Sequence, residues 1–269
     1  MNKAKILFIS QEMTPYLPES EISVISRNLP QGIQELGKEI RTFMPRYGKI
    51  NERRHQLHEV IRLSGMNLII DDTDHPLIIK VASIQQARMQ VYFIDNEDFF
   101  HRKFIHVDED GKHFPDNDER MIFFARGVIE TVKKLRWTPD VIHCHGWFTS
   151  FIPMLLKKVY ADDTFFQDAK IVFSLYDNKF EGELDKNVIT KLAAEGINKS
   201  DLDLLSNPTF ENLSKLIISE ADGIIVGSEN IDKELVDFAA SKGKLTLEHQ
   251  SEEDYIEEYS KFYDKLLNS

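Results

Sequence analysis

"KILFIS" (residues 5–10), "ISVISRNLPQGIQEL" (22–36) and "EIRTFMP" (39–45) follow one another within some forty residues. The first is a short apolar run rich in isoleucine, the pattern of a buried strand. The second places Ile22, Ile25, Leu29, Ile33 and Leu36 at helical spacing. Ser20 stands where an N-cap belongs and Gly37 where a helix stops. Pro30, inside the run, removes a backbone donor and is expected to kink the helix. The third run is a second strand. Strand, helix and strand in this order form a βαβ unit, whose usual geometry is a parallel sheet with a right-handed crossover.

Working outward, residues 57–95 hold three strand-like runs separated by polar turns, expected as an inserted or edge group of strands. An irregular aromatic and charged stretch, 98–117, precedes "DERMIFFARGVIETVKKL" (118–135), a helix with Asp118 as its expected cap. The alternation then resumes. Strands are expected at 140–145, 169–176 and 222–228, and helices at 148–160, 210–221, 230–241 and 252–267. The chain therefore reads as α/β: one Rossmann-like, doubly wound domain with a mostly parallel sheet over 1–245. Residues 246–269 form an acidic C-terminal helix expected to pack on that domain.

The formal net charge of −12 sets the bulk of the surface against phosphate backbones and anionic lipid, which excludes generic nucleic-acid and membrane binding. A lone Cys144 admits no disulfide framework within the chain. No leader-like segment or spanning apolar run is apparent, so a cytoplasmic location is expected.

In open α/β sheets ligands bind beyond the carboxyl ends of the strands. Three loops matter: 11–21, 144–149 and 176–183. The middle one follows "VIHCH", where His143 and His145 share one face and Cys144 takes the other. His-x-His is half of a metal site, and no third histidine stands at ligand spacing. A lone cysteine is most often a small buried hydrophobe. The first loop, "QEMTPYLPESE", has no glycine, so it offers no close backbone approach to a pyrophosphate, and Glu12, Glu19 and Glu21 repel one. Asp177, Glu181 and Glu183 crowd the third loop, either as a solvated turn or as sugar-hydroxyl acceptors. Phe99, Phe100, Phe104 and Phe114 read as packing.

Several segments, in order, resemble the N-terminal half of bacterial glycogen synthases and plant starch synthases. "KILFISQEMTPY" resembles the family's opening strand and E-x-x-P-F loop. "LPQGIQELGKEIRTFMPRYGKI" is similar to L-P-K-A-L…G-H-x-V-R-x-x-x-P-R-Y-G, and "VYFIDNEDFFHR" to V-Y-x-I-D-N-P-x-x-F-x-R. "FPDNDERMIFFARGVIE", "WTPDVIHCHGWFTSFIPMLLK", "KIVFSLYDNKFEG" and "ADGIIVGSENIDKEL" continue the series to about residue 236. The resemblance implies the N-terminal half of a two-domain GT-B glycosyltransferase, with glucose passing from ADP-glucose to an α-1,4-glucan.

The departures gather where that family works. Its K-T-G-G-L donor loop falls on Pro18, Glu19, Ser20, Glu21 and Ile22. Its D-W-H falls on Gly146, Trp147 and Phe148, so a ring without a titratable proton stands where the family histidine meets the sugar. Its I-H-N becomes Leu175, Tyr176 and Asp177, and its Y-Q-G becomes Phe180, Glu181 and Gly182. The family's nucleotide-binding second domain is not found before Ser269. The expectation is a non-catalytic binding or regulatory module linked to glucan metabolism. The alternative is a glycosyltransferase active with a separate partner chain. No catalytic residue, metal or cofactor is expected. The cleft candidates for a glucan or nucleotide sugar are Glu12, Tyr16, Ser20, Glu21, His145, Gly146, Trp147, Phe148, Tyr176, Asp177 and Glu181. A protein partner or a second copy is a further candidate occupant of the exposed cleft.

Overall fold

A computed structural model describes residues 3–269. The parallel strands are β1 (Lys5–Ser10), β2 (Glu39–Pro45), β6 (Met89–Asp95), β7 (Val141–His145), β8 (Lys170–Leu175), β9 (Gly223–Val226) and β10 (Leu245–Leu247). Antiparallel β3 (His58–Glu59), β4 (Met66–Ile70) and β5 (Thr73–Ile84) extend one edge, β5 pairing with β6, β3 and β4. The order is β10-β9-β8-β7-β1-β2-β6-β5-β3. The sheet is thus mostly parallel, as the opening βαβ unit implies.

The chain leaves β1 in one direction to β2 and β6, then returns to lay β7 on the other side of β1 and builds outward again. The topological switch point therefore lies between β1 and β7, where such sheets open a crevice at their carboxyl ends. The register pairs Ile9 with Cys144 and Ser10 with His145.

Helices cover both faces. On one lie α1 (Glu21–Glu35) and α9 (Tyr255–Leu267), packed over Ile6, Phe8, Val141, Val172 and Ile225. On the other lie α4 (Asn117–Leu135), α5 (Phe151–Lys158), α6 (Val188–Ala194), α7 (Phe210–Glu220) and α8 (Lys233–Ser241), over the larger core. The single-turn helices α2 (Glu52–His55) and α3 (Glu97–Phe100) sit near the carboxyl ends of β2 and β6. Alternate residues of β1 divide between the two cores: Ile6 and Phe8 face α9, Leu7 and Ile9 the other layer. Burying Tyr259, Phe262, Tyr263 and Leu266 of α9 removes four large side chains from water, each worth roughly 1.5–3 kcal/mol. The α1–α9 contact is close because Gly32 has no Cβ; one there would overlap Ile256.

Local chemistry corrects some sequence expectations. Ser20 does cap α1: its side chain accepts from the Ser23 backbone N–H, and the Ser23 hydroxyl accepts from the Ser20 backbone N–H. The helix runs through a buried Pro30 to Glu35, and Gly37 follows with φ +95°. Asp118 does not cap α4. Asp116 holds that position without a side-chain capping bond, its carboxylate being taken by Arg102, and Asp118 is fully buried beside Lys191 of α6. Residues 147–149 form a 3-10 turn, so the following helix is shorter than 148–160. The last helix begins at Tyr255 rather than 252. The expected strand and helix alternation also misses α6, the 3-10 stretch Lys199–Ser206 and β10.

Candidate ligand face at the strand ends

The crevice between β1 and β7 is stitched shut by one residue. The Gln11 backbone N–H donates to the His145 carbonyl at 3.1 Å, and its side-chain Oε1 accepts from the Phe148 backbone N–H at 3.2 Å. Gly146 has φ +85°, a region that glycine adopts without strain. A Cβ on Gly146 would overlap the Gln11 amide. The two residues therefore fit as a pair: the space a Cβ would take at 146 is filled by Gln11.

His145 is fully buried, with Nδ1 2.7 Å from the Tyr176 hydroxyl and Nε2 without a partner. Burial pushes its pKa down to about 3. His143 lies in ring contact with it at 3.9 Å, its two nitrogens held by Tyr263 and Ser174. Burial, and then the neighbouring His145, hold His143 well below the usual imidazole range. Both rings are neutral at pH 7, and three of their four nitrogens are engaged by hydroxyls. Among the described residues no group of three histidine, cysteine, aspartate or glutamate side chains is placed to hold a metal ion. Cys144 faces the opposite core, and burial raises its thiol far above the range in which a thiolate attacks.

Trp147 is buried against His106 and Phe180, with ring centroids 4.8 and 4.9 Å away. Phe148 is fully buried: His106 lies 4.8 Å from its ring, Phe124 6.0 Å, and the Arg120 guanidinium 5.6 Å. Phe148 thus belongs to the core beneath the face. Tyr16 and Tyr176 are buried too, and burial raises both phenols.

The polar candidates are largely paired with each other. Glu12 accepts from the Ser20 hydroxyl at 2.6 Å; desolvation raises its carboxyl, an effect this hydrogen bond partly offsets. The Ser228 hydroxyl donates to Glu21 and accepts from the Asp177 backbone N–H at 2.9 Å. The start of α1, where a helix would offer unpaired N–H groups to an anion, instead carries the Ser20 cap and the Glu21 charge. The space enclosed by Gly146, Trp147, Tyr176, Phe210 and Ser214 has a volume of about 10 Å³, room for no more than one water. Glu181 stands apart, exposed on the wall of an open cavity of about 900 Å³ formed by residues 111–115 and 179–185.

Of the eleven candidates, then, Tyr16, His145, Gly146, Trp147, Phe148 and Tyr176 are buried, Glu12 is half-buried, and Ser20, Glu21, Asp177 and Glu181 are exposed. Gln11 and Ser228, which join these loops, were not singled out from sequence. The only signal for Gln11 was its position directly after β1.

An open, mostly parallel sheet with its switch-point loops gathered at one end defines a Rossmann-like α/β domain. Residues 5–249 match the starch synthase catalytic domain family, and the chain belongs to that family. It is 38% identical over 197 residues to a glycogen synthase of Chlorobium limicola, covering 73% of this chain and 40% of that protein. It is 33% identical over 251 residues to a glycogen synthase of Pelodictyon phaeoclathratiforme, covering 92% of this chain and 51% of that one. The chain thus spans about half the length of the curated relatives it matches. The fold is similar to the catalytic domain of Arabidopsis thaliana starch synthase IV, solved bound to ADP and acarbose. The TM-score is 0.73 at 19% identity, over 93% of this chain and 52% of that one. Among the described residues no helix is long and apolar enough to cross a membrane.

Proposed function

We propose that this glycogen/starch synthase-like domain does not itself transfer glucose from ADP-glucose, and serves as a non-catalytic binding or regulatory module in glucan metabolism. The observation that carries this reading is the Gln11–Gly146 closure of the switch point. Gln11 takes the space beside Gly146 at the switch point, where open α/β sheets bind their ligands, and this supports the reading. The burial of Phe148 supports it, because the position that resembles the family's sugar-contacting histidine neither reaches the face nor carries an exchangeable proton. The self-paired Glu12–Ser20 and Glu21–Ser228 contacts also leave the start of α1 unsuited to a pyrophosphate.

The open cavity bounded by Phe114, Phe180, Glu181 and Asp185 keeps the group types that hold a sugar: apolar rings for its faces and carboxylates for its hydroxyls. A maltooligosaccharide is the ligand class this reading assigns to it. The test is ADP-glucose-dependent extension of a maltooligosaccharide primer by purified protein, alongside calorimetric titration with the primer alone. Background turnover with measurable primer binding is expected. Sustained turnover by the isolated chain sinks the proposal.

A further inference from the structure

At the opposite end of the sheet, beside the amino ends of β1, β2 and β6, lies a second cavity of about 490 Å³. It is a full strand length from the face described above, and its reading does not depend on that one. Its charge is unlike that of the rest of the chain. Lys3, Lys38, Arg41 and Arg88 line it against the single carboxylate of Glu39, in a protein of net charge −12. Glu39 is already engaged, accepting from the Trp137 indole N–H, and Lys38 is paired with Asp264 and Ser260. Among the described residues neither Lys3, Arg41 nor Arg88 meets a carboxylate within ion-pair distance.

Arg41 is the most unusual of the three. Its guanidinium carbon lies 5.7 Å from the Tyr92 ring centroid and 5.4 Å from that of Trp137. Nη1 donates to the Tyr92 hydroxyl at 2.7 Å, while Nε is buried with no acceptor. A guanidinium held by two rings is pre-organised, and its planar donor fork matches a phosphate. On the cavity's helix side, the Gln34 side-chain Oε1 is a buried acceptor with no donor. The buried Nε and Oε1 are out of reach of the cavity, so recognition there rests on the cations that line it. Gln90 adds a further polar side chain to the lining.

We infer that this cavity binds a small phosphorylated ligand, its phosphate on Arg41, Arg88 and Lys3. The volume falls within the usual span for small-molecule sites, roughly 300–1,000 Å³. A ligand here would grip the start of β2 and β6 and the end of α1 together, which places it to act on the domain from behind the sheet.

The experiment is calorimetric titration of the whole chain with glucose 1-phosphate, inorganic phosphate and glucose. Saturable binding of glucose 1-phosphate and of phosphate, and none of glucose, is expected. The affinity should fall as salt is raised. Arg41→Gln should weaken binding about tenfold or more, the scale of one lost charged hydrogen bond. Because Arg41 also packs between two rings, the exposed pair Lys3→Glu and Arg88→Glu serves as the second variant, with the same expected loss and an unchanged unfolding midpoint. Glu21→Gln, at the far end, should leave binding intact. Absence of binding to both anions, or binding untouched by the cavity variants, overturns the site. Loss of binding in Glu21→Gln moves it to the strand-end face and overturns it equally. Binding of glucose as tight as that of glucose 1-phosphate overturns the phosphate assignment.

Discussion

The Tyr263 hydroxyl lies 2.6 Å from Nδ1 of His143, joining the last helix to the central strand β7 across 120 residues of sequence. On the other side of the ring, Nε2 is 2.7 Å from the Ser174 hydroxyl. A buried imidazole needs both nitrogens satisfied, and α9 supplies one partner while covering the sheet with Tyr259, Phe262 and Leu266. Polar registry and apolar burial therefore act on the same helix.

Tyr263→Phe keeps the ring and removes the hydroxyl. One nitrogen of His143 is then buried without a partner, which costs about 1–3 kcal/mol. Urea denaturation should show a lower midpoint with an unchanged slope, since the buried surface is the same. A changed slope would mean that α9 had detached.

Gln11 and Gly146 should behave as a coupled pair. Gly146→Asp alone forces a side chain into a left-handed backbone and against the Gln11 amide, and overpacking of this kind typically costs about 1–3 kcal/mol. Gln11→Ala alone leaves the Phe148 N–H without its acceptor. The double variant should be more stable than the sum of the two losses predicts, by 0.5 kcal/mol or more on the usual scale of about 0.5–3 kcal/mol for contacting residues. Strict additivity in a denaturation cycle would show that Gln11 does not occupy the space at 146.

Acid should destabilise the protein already below about pH 6.5, ahead of ordinary carboxylate titration. An unfolded histidine has a pKa of about 6.5. Folded His145 is held down to about 3 and His143 well below 6.5. The unfolded chain therefore binds more protons as pH falls below about 6.5, and each buried ring removes up to about 1.4 kcal/mol per pH unit. Asp118 acts the other way. Burial raises it to about 6, so folded Asp118 takes up a proton before the unfolded side chain does, and below that pH it offsets roughly one histidine. Stability is thus fully present above about pH 6.5 and declines on acidification, the net loss below about pH 6 being about that of one of the two rings. Urea midpoints that stay level from pH 7 to pH 5 would contradict neutral buried imidazoles.

What could be read from sequence followed periodicity and local chemistry. The apolar spacing of α1, the Ser20 cap and the separation of His143 and His145 from Cys144 each depend on a few neighbouring residues, and all appear in the structure. Asp118 misled because a cap and a buried salt-bridge partner look alike in sequence; only the arrival of Lys191, 73 positions later, decides between them. The segment holding α6 and the following 3-10 turns has too little apolar pattern to announce itself, and it is tied down by Lys191 to Asp118, Glu119 and Asp185. The strand-end loops were placed by topology alone. Which of their side chains face solvent was not legible, because His106 and Arg120, which pack over Phe148, come from a non-periodic stretch and from a distant helix.

Phe148→His restores the residue type that the family resemblance places at this position, and its outcome separates a lost side chain from a lost site. The ring of residue 148 is enclosed by Tyr47, Phe100, His106 and Phe124, with the Arg120 guanidinium 5.6 Å away. An imidazole there would be desolvated and next to a fixed positive charge, and both effects favour its neutral form. Its nitrogens would add unpaired polar atoms to an apolar nest, at a cost of about 1–3 kcal/mol. The substitution should therefore lower the unfolding midpoint while glucan extension from ADP-glucose stays at background. Even the triple variant with Gln11→Ala and Gly146→Asp should remain inactive, because Glu21 and Ser20 still close the start of α1 to a diphosphate. Turnover recovered by Phe148→His alone would show that residue 148 reaches the substrate, and the non-catalytic reading would fall with it.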